Sequence, residues 1–135
     1  MKKTAVCLVL ANTLILSACT TTENVKTTKL TLNTLNGKAV RVGSAWHINP
    51  DCTVLAVPDV KVLQPPAHGK LSIEKAATFP KSNSEIYRKC NSHKVMGRVT
   101  YYTPDKGFTG KDRMKLRVSY INGVFDDGVI TVNVK

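Results

Sequence analysis

From Met114 to Tyr120 the chain alternates strictly. Met114, Leu116, Val118 and Tyr120 take one side, while Arg113, Lys115 and Arg117 take the other. Only an extended backbone turns that order into one apolar face and one charged face, because successive side chains of a strand point to opposite sides. A half-buried antiparallel strand requires this pattern. The period of two returns at Ile130, Val132 and Val134, and in shorter form at Leu30–Leu32, Val40–Val42, Val60–Val62 and Leu71–Ile73. Turn residues separate these runs: Asn36-Gly37, Pro58-Asp59, Pro65-Pro66, His68-Gly69 and Asn122-Gly123. Asn-Gly is the strongest two-residue hairpin cue, so Leu30–Leu32 and Val40–Val42 are expected to pair across Asn36-Gly37. A helical period is missing after residue 18, although Ile73–Phe79 has room for one helical turn. Many short strands with regular turns predict a single all-β domain over residues 30–135.

The first residues follow another logic. Lys2 and Lys3 precede an apolar stretch from Ala5 to Leu16, and small residues then lead to Cys19. The apolar run is too short to cross a bilayer as a permanent helix, and its layout predicts a secretory signal over residues 1–18. Leu16-Ser17-Ala18-Cys19 resembles the lipobox of bacterial lipoproteins. That resemblance implies cleavage before Cys19, a thioether-linked diacylglycerol on its sulfur and, often, a third acyl chain on its freed amine. Each buried methylene contributes about 0.8 kcal/mol, so two or three chains make a firm anchor. Thr20 in place of Asp implies forwarding to the outer membrane. Residues 19–29 are then expected to form a lipidated polar tether, rich in Thr and without periodicity.

Export also frames the cysteines. Cys7 leaves with the signal and Cys19 is used by the lipid, which leaves Cys52 and Cys90. An even pair in an oxidising compartment points to a disulfide. Closing so long a loop is worth roughly 3–4 kcal/mol in the chain-entropy model. The rivals are a metal site using His93, which falls short of a zinc pattern, and a catalytic thiol, which no surrounding motif supports. The 135 residues carry 20 Lys+Arg against nine Asp+Glu, and most of that excess stays after the signal is removed. Such a balance favours acidic partners: lipopolysaccharide headgroups, envelope glycan or an acidic protein face. Export argues against nucleic acid.

Two segments carry a further likeness. Val62–Leu71, with its Pro-Ala-His-Gly turn, and Tyr102–Asp112, with Tyr-Thr-Pro and Phe-Thr-Gly-Lys-Asp, resemble bacterial cadherin-like and Ig-like repeat modules. The resemblance covers roughly residues 60–134. It implies an immunoglobulin-like β-sandwich of short antiparallel strands, on proteins with adhesive or scaffolding duties. Its motif residues here are Pro66, Gly69, Tyr102, Pro104, Gly107, Phe108, Gly110 and Asp112. Pro104 and Gly107 shape a turn, Phe108 plugs the end of the core, and Asp112 bonds the loop amides at the start of its own strand. The chain departs from the pattern in having Met114 and Leu116 where the modules carry aromatics, and in having one copy. It also lacks an acidic cluster, so calcium is not carried over, and Asp126-Asp127 reads as a solvated turn.

Catalysis would need a base beside a nucleophile, paired carboxylates or a metal constellation. His47, His68 and His93 stand in separate segments, and Trp46 is expected to plug the core. We therefore expect neither enzymatic activity, nor a metal, nor a cofactor. The best candidate for a working surface is a long basic loop from Glu74 to Arg98, pinned through Cys90 to Cys52. It carries Lys75, Lys81, Arg88, Lys89, Lys94 and Arg98 with Tyr87 among them. The bland alternative is a solvated insertion. Together these features predict a non-catalytic binding or scaffold lipoprotein of the outer membrane, facing the periplasm or the cell surface. One alternative is a surface adhesin. Another is an inhibitor of a host lysozyme-like hydrolase, which the repulsion between two basic partners disfavours.

Overall fold

A computed structural model describes residues 25–135. The expected signal segment, the lipobox and Cys19 lie outside the described residues, with most of the tether. The strands are β1 (Lys26–Thr34), β2 (Val40–Ala45), β3 (His47–Ile48), β4 (Val54–Ala56), β5 (Asp59–Gln64), β6 (Gly69–Thr78), β7 (Val95–Pro104), β8 (Gly110–Ser119) and β9 (Phe125–Val134). One helical turn, α1 (Glu85–Arg88), runs into a 3-10 turn at Lys89–Ser92. The fold is all-β. Its sheets run in the orders β1-β9-β8-β5 and β2-β7-β6, with β3 and β4 forming a separate hairpin.

One core belongs to both sheets. Val42 of β2 and Tyr102 of β7 pack with Met114 and Leu116 of β8 and with Ile130, Val132 and Val134 of β9. The alternation of β8 is realised directly: Met114 and Leu116 are buried, whereas Lys111 and Arg113 are exposed. Burying such apolar side chains on one face of each sheet is the main gain that holds the layers together. A second cluster forms around Ile48, Cys90 and Val95, with Trp46, Cys52 and Tyr87 against it. Trp46 thus packs beside the disulfide rather than plugging the main core.

The structure corrects several expectations. β1 starts at Lys26, inside the expected tether, and pairs parallel with β9 from Lys26↔Asp126 to Thr34↔Val134, so the strands are not all antiparallel. It is an edge strand whose first residues stay exposed, so its alternation is legible only from Leu30 onward. Asn36-Gly37 does not make a hairpin, because β1 and β2 belong to different sheets. The Asn36 side chain instead clamps a distant turn: it accepts from the Gly107 amide at 3.0 Å and donates to the Phe108 carbonyl at 3.1 Å. Asn122-Gly123 does behave as a hairpin turn, closed by Tyr120 and Val124. The segment 74–98 is mostly strand at its two ends, since Lys75 pairs with Arg98 in the β6–β7 ladder. Only residues 79–94 form the connection, and Ile73–Thr78 is extended rather than helical. Finally, Asp127 is no solvated turn; it is 3% exposed, beneath Arg117 and Lys115.

The strand directions give the molecule two distinct ends. Turns 35–39, 65–68 and 105–109 lie at one end, which we call the latch end. The start of β1, the β3–β4 hairpin, the connection 79–94 and the turn 120–124 lie at the other, the loop end.

Candidate functional site

The two motif segments meet at the latch end. Asp112, 2% exposed, accepts hydrogen bonds from the Ala67 and His68 amides at 2.9 and 2.8 Å, from the Tyr102 hydroxyl at 2.9 Å and from the Arg113 amide at 2.9 Å. Burial pushes its carboxyl upward, but these donors outweigh that and hold it below the usual carboxylate value. Burial, with Asp112 alongside, raises the Tyr102 hydroxyl well above the ordinary tyrosine value, so it remains a donor. Gly69 leaves room for the Tyr102 ring; a Cβ there would meet that ring and come within 2.7 Å of the Thr103 carbonyl. Phe108 lies half-buried against the core and stacks on His68 with centroids 4.2 Å apart. Pro104 is buried at the end of β7, and Pro66 leads into the clamped amides. Gly107 and Gly110 have φ of 90° and 130°, which an L side chain rarely adopts. Every bond in this group is internal. It is a latch between β5–β6 and β7–β8.

The loop end offers space instead. Between the sheets lies an apolar cavity of about 290 Å³, walled by Leu30 of β1, Val42 and Ala45 of β2, Val60 of β5 and Leu116 and Val118 of β8. The cavity shares Ser44, Ala45, Tyr120 and Asp126 with a neighbouring, more polar hollow of about 540 Å³, and we call the two together the groove. The hollow is lined by Trp46, His47, Tyr87 and Tyr120, with Lys26 and Lys81 at its margin. Trp46 and Tyr87 meet edge to face with centroids 6.5 Å apart, as do His47 and Tyr120 at 5.4 Å. Nδ1 of His47 is buried and finds no hydrogen-bond partner among the described residues. Such an atom is costly unless something satisfies it. Burial, aided by the Asp126 carboxylate, pushes the Tyr120 hydroxyl up to about 12. An apolar floor, aromatic walls and a few polar groups suit the capture of an amphipathic ligand.

A disulfide holds this end together. Cys52 and Cys90 are joined, their Cα atoms 5.3 Å apart, which ties the β3–β4 hairpin to the 79–94 connection. Of the expected basic surface, the structure brings Lys81 and Tyr87 into the hollow. The others disperse. Lys94 sits over the Phe79 ring at 5.7 Å, Arg88 reaches the Asn83 carbonyl at 3.4 Å, and Arg98 donates to the Pro58 carbonyl at 3.4 Å. Lys75 and Lys89 are exposed. Sequence reasoning missed Lys26, His47, Tyr120 and Asp126 as groove residues, and it assigned Trp46 to the wrong cluster. The available signal was an aromatic or His residue at two strand ends, Trp46-His47 and Tyr120, and Tyr87 in the helical turn of the 79–94 connection.

Among the described residues no group of three or more His, Cys, Asp or Glu side chains could hold a metal ion. No described helix is long and apolar enough to cross a membrane. No protein-family model matches the chain, and no curated protein matches it significantly.

Proposed function

We propose that the chain is a lipid-anchored, non-catalytic binding or scaffold module of the bacterial cell envelope. In this reading the fold is an immunoglobulin-like sandwich, and the working surface is the groove at its loop end. The strand orders β1-β9-β8-β5 and β2-β7-β6 support the fold reading, because seven strands in two such sheets are what that architecture uses. The observation that carries the binding role is the groove itself. It combines an apolar inter-sheet cavity with an aromatic, partly basic hollow and an unsatisfied buried nitrogen on His47. The three histidines support the non-catalytic reading through their separation. His47 lies against Tyr120, His68 against Phe108, and His93 beside Ser92 and the Lys89 carbonyl.

The anchor reading rests on the lipobox resemblance at Leu16–Cys19. Membrane fractionation of cells carrying the natural chain or Cys19→Ala tests it. The natural chain is expected in the membrane fraction and the variant in the soluble fraction; equal partition of both would overturn the anchor. Crosslinking from the groove in whole envelopes tests the binding role. A photoreactive residue at Lys81 is expected to capture an envelope component, whereas one at Lys111, at the latch end, should not.

A further inference from the structure

We infer that the loop end lies directly on a phospholipid leaflet, with the turn 120–124 and α1 in the headgroup layer. This inference rests on the anchor reading and adds an orientation to it. The first argument is reach. β1 begins at Lys26, so only six residues, and seven Cα–Cα steps, separate Cys19 from the folded domain. They span at most about 25 Å when fully extended. A ten-residue strand such as β8, which runs from the latch end to the loop end, is about 33 Å long. The leash is therefore too short to fold back along the domain and lay the latch end on the leaflet.

The second argument is the surface that this leash presents. Ile121 is 67%, Ile86 60% and Val124 49% exposed, and Leu55 and Phe79 are also exposed at this end. Trp46 and Tyr87 line the same hollow as Val124, residues suited to an interface that is apolar on one side and wet on the other. Lys81, Arg88, Lys89 and Lys94 are all exposed on the 79–94 connection at this end, with Asp51, Asp59 and Glu85 exposed and Asp126 half-buried as counter-charges. Long basic side chains can lay their stems on apolar surface while their heads contact lipid phosphates. Charge by itself does not choose this end, because Lys38, Lys106 and Lys111 crowd the latch end with Asp105 as their acidic neighbour. The apolar residues and the leash decide.

The test uses the mature lipidated protein reconstituted into vesicles of phosphatidylcholine, with or without phosphatidylglycerol. In a Trp46→Phe background, one reporter replaces Ile121→Trp at the loop end and another replaces Leu35→Trp at the latch end. The reporter at 121 is expected to be quenched by brominated lipid and shielded from aqueous iodide, more strongly with phosphatidylglycerol. The reporter at 35 should behave oppositely. Lys81→Ala is expected to lower the docked-to-undocked ratio roughly five-fold in anionic vesicles. Protein that floats with the vesicles while position 121 stays open to iodide overturns the docking and leaves the anchor standing. Quenching at 35 in place of 121 also overturns it. Failure to float with phosphatidylcholine refutes the anchor, and quenching at 121 with phosphatidylglycerol then still decides the docking.

Discussion

At the scale of single residues, the molecule depends most on Asp112. One carboxylate satisfies the Ala67 and His68 amides from one segment and the Tyr102 hydroxyl from another. Asp112→Ala leaves these donors buried without partners and is expected to cost about 3–4 kcal/mol in urea unfolding. Tyr102→Phe removes one donor and should cost about 1–2 kcal/mol. Losses below half a kilocalorie for both would show that the latch contributes little. Asp112 and Asp127 have folded-state values below the ordinary carboxylate value of 3.8, and Asp127 is held at about 2 by the Arg117 guanidinium, with Lys115 assisting. Both therefore stabilise the fold above pH 4, and this contribution is lost as pH falls through their folded values. Acid titration should show stability declining between about pH 4 and pH 2. Asp127→Asn should flatten part of that limb by about 1 kcal/mol, a modest effect because solvent screens Lys115 and Arg117. The motif residues were legible in the sequence, but their meeting was not. Asp112 stands 45 positions from Ala67, and no local pattern reports such a pairing.

At the scale of elements, legibility followed burial. β8 and β9 bury one face more deeply than the other, so their alternation announced them. β1 exposes most of its first half and pairs along one edge only, so polar residues there read as tether. β6 continues through Glu74 and Lys75 because an edge strand tolerates charges on its open side, which made its end look like loop. Helix α1, with four residues, is too short to show a period. The groove was the hardest feature to foresee, since Trp46, Tyr87 and Tyr120 come from three segments brought together by the β3–β4 hairpin and the disulfide. That crosslink is expected to contribute about 3–4 kcal/mol. Reduction, or a paired Cys52→Ser and Cys90→Ser change, should lower the melting temperature and open residues 79–94 to proteolysis first. A crosslink-free protein that resists protease there as well as the natural one would contradict this role. Gly69→Ala, placing a methyl against the Tyr102 ring, should cost about 1–3 kcal/mol.

At the scale of the whole molecule, the two ends divide the work. The latch end is closed by internal hydrogen bonds, while the loop end carries the groove, the crosslink and the entry of the chain from its expected anchor. If the leash sets the orientation, inserting a flexible Gly/Ser stretch between Cys19 and Lys26 should loosen the loop end from the leaflet without releasing the protein from the membrane. Protection of position 121 in the reconstituted vesicles would then fall while flotation persists. All of this depends on acyl chains at Cys19, and the intact mass of the protein extracted from cell envelopes reads them directly. The account predicts a polypeptide beginning at Cys19 and heavier than its residues by a diacylglycerol, with or without a third acyl chain. A polypeptide that begins at Met1 and carries no fatty acid would contradict it.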